Sequence, residues 1–554
     1  MRRDALKALL GLAAAGLLAD ALARRRSVRA TDAPGLLVVQ IDGLGLPALR
    51  AAMRAGDAPY LSSLVDGGAN LGGWHAMIPP TTPASQAGML HGRNDDIPGF
   101  RWYEKAERRI YVANHPADAT DILKRLSDGT GLLAGRGVSI GNLLTGDARR
   151  SYLTMATVAE EPRAPGTLIR LRTFFVSPLN ALRIVAGMVD QFVRELVQSA
   201  VQASRRVEPR MHRGLDSALE RAFLNSLVRN VSAELVIAEM RMGTPVIYVD
   251  FTGYDAIAHH AGPERPESLH AVRGIDRSIG RVMRATLRAK RPYRLVVLSD
   301  HGQSLGVPFA RRYGQRLDEY VASAMGPGAE APHSEDDEHS HALPLVLREV
   351  VGLFGLTRIV ERGVAAIRGR KQDAEAPPAL VVCSSGNLAH LYFTADPGRM
   401  SAREIEALYP GILDHVARHP SVGLLLVREA DGRSTILSRD GRRDLHSGAV
   451  VGADPLRPYR ATAAASLQRL DGFSNVGDIV VVSAIDPETG EVTSYEPLVG
   501  CHGGLGGAQE HPFILYPAGW TLPDEGIDGA PAVYATLRRW LERLDGEHEP
   551  NAAR

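Results

Sequence analysis

Cysteine is nearly absent from this chain: 554 residues contain two, Cys383 and Cys501. That scarcity excludes a disulfide framework and a CxxC-type structural zinc site, and leaves open whether the two pair with each other. Excess charge of one sign is missing as well, since 64 Lys+Arg nearly cancel 63 Asp+Glu. No overall field exists to steer the chain onto a nucleic-acid polymer, and none is expected as a partner. Also lacking is an uninterrupted apolar run of the roughly 20 residues that a membrane-crossing helix needs. No self-similarity at a period of roughly 20 to 50 residues marks a repeat protein. What is abundant is core-forming material, 45% of the residues being hydrophobic, enough for one large domain with insertions.

The first residues, MRRDALKALLGLAAAGLLADALA, set Arg2 and Arg3 ahead of an Ala/Leu-rich stretch that closes on Ala21, Leu22 and Ala23. Residues 1–26 resemble an export signal of the twin-arginine type, which carries folded proteins across a bacterial membrane, so a place outside the cytoplasm is expected. Asp20 inside the stretch also suits an ordinary amphipathic helix. An uncleaved membrane anchor is the third reading, although the apolar part, residues 5–19, is short for one.

Gly35-Leu-Leu-Val-Val-Gln-Ile41 is a continuous apolar, β-branched run of the kind that forms a strand buried on both faces of a parallel sheet. Asp42 follows at once. Residues 245–250 lead in the same way to Thr252-Gly-Tyr-Asp255, and residues 293–298 to Ser299-Asp300-His301-Gly302. Between these runs, residues 264–289 space Leu269, Val272, Ile275, Ile279, Val282 and Met283 along one helical face. This alternation predicts an α/β fold, a doubly wound and mostly parallel sheet, over a domain spanning 32–554. Ligands of such sheets bind beyond the carboxyl ends of the strands.

Three segments interrupt the plan. Residues 168–240 read as amphipathic helices, a helical insertion or cap and alternatively a surface for lipid contact. Residues 326–378 read as a loop and helix insertion that opens with GPGAEAPHSEDDEHSH, a solvated loop whose His333, His339 and His341 lack regular ligand spacing. Residues 379–500 form a smaller β-rich subregion.

Seven residues stand at or beyond predicted strand ends: Asp42, Thr82, Asp255, His259, Asp300, His301 and His502. Carboxylates and imidazoles are ordinary ligands of zinc and similar divalent ions, and a two-metal site needs at least three protein ligands around each. Asp255 and His259, four apart, would share a face of a helical turn with Cβ atoms about 5–6 Å apart. Asp300 and His301 are adjacent, and a loop leaving a strand can turn both to one ion, as a regular strand cannot. Gly302 gives the backbone room to turn. Taken singly, each fragment reads more often as a cap, a salt bridge or a solvated face.

In their order the fragments resemble the alkaline phosphatase superfamily, and within it the type I phosphodiesterase and nucleotide pyrophosphatase group. The resemblance rests on Ile41-Asp42-Gly43, Thr82-Pro-Ala-Ser-Gln-Ala-Gly-Met-Leu-His-Gly92, Asp255-Ala-Ile-Ala-His259-His-Ala-Gly-Pro263, Ser299-Asp300-His301-Gly302 and His502-Gly503-Gly504. It covers residues 36–502 apart from the two insertions. It implies that Asp42, Asp300, His301 and the Thr82 hydroxyl hold one divalent ion and that Asp255, His259 and His502 hold the other, zinc being the usual metal. It implies further that Thr82 attacks the phosphorus of a phosphodiester or phosphomonoester, giving a phospho-threonine that water then releases. Two ions roughly 3.5 to 4 Å apart would stabilise both the attacking and the leaving oxygen.

The resemblance leaves rivals. A transferase relative moving phosphoglycerol or phosphoethanolamine to an alcohol would keep the same site. A non-catalytic, metal-binding envelope protein is the reading of another class, and retention of all seven donors argues against it. The partners implied are a small phosphate ester or a lipid or envelope phosphodiester, with membrane contact left open and the oligomeric state not legible.

Thr81-Thr82-Pro83 also reads as a helix start, with Thr82 as N-cap and Pro83 as the first helical residue. The two roles are compatible, because a helix N-terminus presents backbone N–H groups and a favourable dipole to a phosphoryl group. Thr81 is the alternative nucleophile, but the spacing from Thr82 to Gly92 fits the family pattern better. The nucleotide pyrophosphatases usually have Phe-Pro-Asn after the threonine, the Asn helping to hold phosphoryl oxygens; here Pro83-Ala84-Ser85 and Gln86 follow. Ser85 and Gln86 are therefore the candidates for that task. The C/S-x-P-x-R motif of sulfatases is absent. Arg101, within Gly99-Phe-Arg-Trp-Tyr103, is a further candidate for phosphate, and Phe100 and Trp102 suit stacking or the core. Asp250, at a strand end, reads as a partner of a histidine ligand. Ser385-Gly386-Asn387-Leu388-Ala389-His390 could place Asn387 or His390 near the site, a turn into a strand being the plainer account, and His75 and His260 read as structural or surface residues.

Overall fold

The computed structural model describes residues 31–158, 178–211, 213–326 and 378–546. The export-signal reading of residues 1–26, the three loop histidines of 326–378 and the first part of the helical insertion fall outside them.

Seven strands form the central sheet in the order Asn70–Gly73, Phe513–Tyr516, Tyr293–Leu298, Gly35–Ile41, Val246–Phe251, Gly137–Ile140 and Arg150–Tyr152. Phe513–Tyr516 runs antiparallel to both neighbours; every other pairing is parallel. The apolar run Gly35–Ile41 lies at the centre and is buried along its length, because helices cover both faces of the sheet. Leu37, Val39 and Ile41 face one layer, formed with helices Leu46–Arg54, Pro59–Asp66, Arg229–Met242 and Pro266–Ala285. Leu36 and Val38 face the other, where helices Thr82–His91 and Ala530–Gly546 pack on each other. Within Pro266–Ala285 the buried Leu269, Val272, Ile275, Ile279 and Val282 form the apolar face that their spacing predicts. The doubly wound α/β reading of the sequence holds.

A second sheet of seven strands is antiparallel throughout. Its order is Leu380–Ser385, Leu388–Phe393, Ile479–Ser483, Val422–Arg428, Ser434–Ser438, Gly441–Asp444 and Val450–Gly452. A three-stranded sheet sets Ser304–Pro308 between Val492–Ser494 and Gly500–Cys501, so that the chain leaving His301 is tied to the chain entering His502. Before the strand Val246–Phe251 the chain is helical over Pro178–Ser204, Leu215–Ala222 and Arg229–Met242, with a π-helical turn at Phe223–Val228. Among the described residues no helix is long and apolar enough to cross a membrane. No disulfide joins Cys383 and Cys501, both of which are buried. Burial pushes the Cys383 thiol up to about 12.

Candidate active site

Asp42 leaves the carboxyl end of Gly35–Ile41. Gly43 follows with φ +68, and its N–H donates to Asp300 Oδ1 at 3.2 Å. A Cβ at position 43 would lie 1.9 Å from Asp255 Oδ1. Glycine is therefore needed twice over, for the left-handed turn and for the close approach.

The helix Thr82–His91 starts one residue earlier than Pro83 suggests: Thr81 is the N-cap and Thr82 the first helical residue. Proline is tolerated anywhere in the first turn, because the N–H groups there have no intrahelical acceptor. The Thr82 hydroxyl does not cap. Its oxygen lies 3.3 Å from Asp42 Oδ1 and 3.2 Å from His301 Nε2. Thr81 Oγ1 is buried and has no hydrogen-bond partner among the described residues.

Three histidines are oriented alike. His301 turns Nδ1 to Gly302 O at 3.0 Å, His259 to Gly500 O at 2.7 Å and His502 to Pro80 O at 2.9 Å. A carbonyl only accepts, so each Nδ1 carries the proton and each Nε2 offers its lone pair to the centre. His259 Nε2 and His502 Nε2 stand 3.3 Å apart. Facing lone pairs repel unless a cation lies between them. Around them, His259 Nε2 is 2.9 Å from Asp255 Oδ2, His502 Nε2 is 4.0 Å from Asp255 Oδ1, and His301 Nε2 is 3.3 Å from Asp300 Oδ2 and 3.6 Å from Asp42 Oδ1. The His301 and His502 rings stack with centroids 3.8 Å apart.

The carboxylates are crowded in the same way. Burial, then Asp300, Asp255 and Asp250, raises the Asp42 carboxyl well above its ordinary range. Burial, then Asp300 and Asp255, does the same to Asp250. For Asp300 burial again dominates and outweighs the relief from His301 and the Gly43 N–H. None of these three has a lysine or arginine partner among the described residues, so nearby cations would restore the charged forms. Two groups have ligand atoms within 4.8 Å of one another: Asp42, Asp300 and His301, and Asp255, His301 and His502. His301 belongs to both, and His259 adjoins the second through Asp255 and His502. A buried set of Asp and His donors suits zinc or a similar divalent ion.

Gln303 and Gln509, which the sequence does not single out, support the site, as does Asn387, whose place near it is one of the two readings of its segment. Gln303 Nε2 donates to the main chain and side chain of Asp255; its signal was its place two residues after His301. Asn387 accepts from Gly504 N at 2.9 Å and donates to Leu505 O at 3.1 Å, and Gln509 Oε1 accepts from Gly503 N at 2.9 Å. A Cβ at Gly386, φ +59, would lie 1.9 Å from His502 O. The hairpin at 385–388 of the second sheet thus abuts the His502 loop.

The other candidates lie around this centre, most of them with partners of their own. Among the described residues Asp250 partners no histidine; Gln86 donates to its Oδ2 at 2.9 Å and Gln40 at 3.1 Å. Gln86 Oε1 in turn accepts from Leu143 N at 2.8 Å, and Tyr248 donates to Gln40 Oε1 at 2.8 Å. Gln86 is thus a tie behind the site. Arg101 is buried and bonded to Glu496 and, at 3.2 Å, to Ser384 O. Phe100 and Trp102 are buried, Trp102 stacking on Tyr111 at 5.5 Å. Ser85 is buried one turn from Thr82 on the same helix. His390 faces Pro98 O at 2.9 Å, and His75 bridges Asp528 at 2.6 Å and Glu510 at 3.3 Å.

A family model, type I phosphodiesterase / nucleotide pyrophosphatase, matches residues 36–378, more than half of the chain. The chain belongs to that family. It is a phosphoric ester hydrolase, and metal dependence is the usual trait of its relatives. No curated protein matches it in sequence. Among solved structures, the alkaline phosphatase PafA is similar over 94% of this chain and 97% of its own, with 10% identity and a TM-score of 0.52, a likeness of fold. Phosphonoacetate hydrolase from Sinorhizobium meliloti 1021 aligns with 16% identity over 92% of this chain and 98% of its own at a TM-score of 0.47. Murine ectonucleotide pyrophosphatase / phosphodiesterase 5 aligns with 13% identity over 92% and 95% at 0.47.

Proposed function

We propose that the enzyme cleaves small phosphodiesters or phosphomonoesters at a two-metal centre, with Thr82 as nucleophile. Asp42, Asp300, His301 and the Thr82 hydroxyl hold one ion and Asp255, His259 and His502 the other, zinc in each case by the chemistry of the donors. The observation that carries the reading is the Thr82 oxygen, 3.3 Å from Asp42 Oδ1 and 3.2 Å from His301 Nε2, at the start of a ten-residue helix. When bound, the ions supply electrostatic stabilisation of the attacking and leaving oxygens.

The residues do the rest. The Thr82 proton has Asp42 Oδ1 as its nearest carboxylate acceptor, and the helix N-terminus favours the anionic phosphoryl group. A bond forms between the Thr82 oxygen and phosphorus as the bond to the departing alkoxide breaks; water then attacks phosphorus and returns the threonine. Ser85 is the side chain assigned to a phosphoryl oxygen, since Gln86 and Arg101 are engaged by Asp250 and Glu496.

Thr82→Ala is expected to abolish hydrolysis of bis-nitrophenyl phosphate while the purified protein retains two equivalents of divalent metal. Undiminished turnover rejects Thr82, and a single equivalent in the wild type rejects the paired centre. The enzyme is placed outside the cytoplasm on the strength of the Arg2-Arg3 leader. Recovery of active enzyme with an intact N-terminus from the cytoplasm alone would remove that part of the reading.

A further inference from the structure

The helix Pro178–Ser204 packs Ile184 and Met188 against the core in its first half and turns polar side chains inward in its second. Buried Glu195 lies 2.7 Å from Arg221 and 3.0 Å from Arg213. Gln202 accepts from Arg213, and Gln191 and Gln198 accept from Arg221. Outward stand Val185, Val189, Val193, Val197 and Val201, 39 to 58% exposed, preceded by exposed Leu182. A surface helix normally reverses this arrangement. Leu215 and Leu219 are exposed as well, on the adjoining helix Leu215–Ala222. Eight large apolar side chains, most of them at least half exposed, present on the order of 500 Å² of apolar surface, toward the upper end of the largest patch on a typical monomer.

We infer that this face joins two copies of the chain, helix to antiparallel helix across a two-fold axis at Val193. Five valines at intervals of four lie on one i±4 ridge, the kind that packs into the grooves of a facing helix. The series 185, 189, 193, 197, 201 reads the same in either direction. Under a two-fold at 193, Val185 meets Val201, Val189 meets Val197, and Val193 meets its own copy. That self-complementarity is what an isologous interface demands. Exposed Ala186, Ala200 and Ala203 flank the ridge and allow close approach. The area agrees: interfaces are roughly 60% apolar, so about 500 Å² of apolar surface corresponds to about 800 Å² per partner, the standard size.

A lipid surface fits less well. Within the helix Arg183 and Arg194 balance Asp190 and Glu195, and it has no lysine or tryptophan, whereas helices that lie on membranes are rich in basic residues on the polar face.

Light scattering on the full chain at micromolar concentration is expected to give twice the 59.6 kDa chain mass. Val193→Arg places two like charges on the axis and should give the single-chain mass with diester hydrolysis unchanged. Cysteine pairs supply a finer test, the native cysteines being buried. Val193→Cys should cross-link on mild oxidation. Val185→Cys alone should not, its two copies standing about 24 Å apart along the helices, but Val185→Cys combined with Val201→Cys should. A wild type of single-chain mass, or equal cross-linking at 185 and 193, overturns the proposal. A single-chain species that floats with phosphatidylglycerol vesicles, and ceases to do so in Val193→Arg, overturns it in favour of lipid.

Discussion

Replacing Gly43 with alanine tests how tightly the site depends on one missing side chain. Two costs are expected. The first is conformational: at φ +68 an L-residue pays roughly 1–2 kcal/mol relative to glycine. The second is steric and falls on the site alone. The new Cβ would lie 1.9 Å from Asp255 Oδ1 and 2.8 Å from its Cγ, so the carboxylate must retreat by more than about 1 Å to reach van der Waals distance. Gln303 holds that carboxylate from one side, and on the other His259 Nε2 stands 2.9 Å from Oδ2. Displacement on that scale costs roughly 10²-fold in rate, or about 2.7 kcal/mol of transition-state stabilisation. Gly56→Ala isolates the first cost, because Gly56 has φ +74 and nothing within 4 Å of its built Cβ. Gly43→Ala should lose at least as much stability in urea as Gly56→Ala. Only Gly43→Ala should lose kcat/KM for a nitrophenyl diester, by roughly two orders of magnitude, together with affinity for divalent metal. Equal activity in the two variants would refute the claim that position 43 keeps room for Asp255.

Two other expectations concern the frame around the site. Burial alone would lower the pKa of His75, but its hydrogen bonds to Glu510 and Asp528 outweigh that and raise it. The stabilisation is thus complete below about pH 6.5, the ordinary histidine value, and is lost as pH rises through the elevated folded value. Thermal midpoints should fall over that range in the wild type and fall less in His75→Gln; identical slopes would exclude His75 as the cause. Gln86→Leu removes one donor to Asp250 and the acceptor of the Leu143 N–H. Leaving two buried groups short at about 1–3 kcal/mol each predicts a loss of roughly 2–6 kcal/mol in urea unfolding, and no loss would show that neither bond matters.

Some of this protein was legible before any coordinates. The runs Gly35–Ile41 and Tyr293–Leu298 announce themselves because a strand covered on both faces needs no polar alternation. Pro266–Ala285 does so through its apolar spacing. The helix start at Thr82 was off by one, since a proline suits either of its first two positions. Gln86 and Arg101 look like phosphate contacts by type and place. Their partners, Asp250 and Glu496, lie 164 and 395 residues further along, at separations that local pattern does not encode.

The valine ridge makes the same point about direction. Its period marks a helix, but only packing shows that Glu195 faces inward, toward Arg213 and Arg221, and leaves the valines outside. In the site, donor chemistry and strand-end placement belong to the sequence alone. Which nitrogen each histidine offers belongs to the tertiary structure: Pro80 O, 422 residues from His502 in the chain, accepts from its Nδ1 and turns Nε2 toward Asp255 and His259. Local periodicity records which side of an element is covered, whereas the aim of a buried polar group depends on the one acceptor within reach, and folding brings that acceptor from anywhere in the chain.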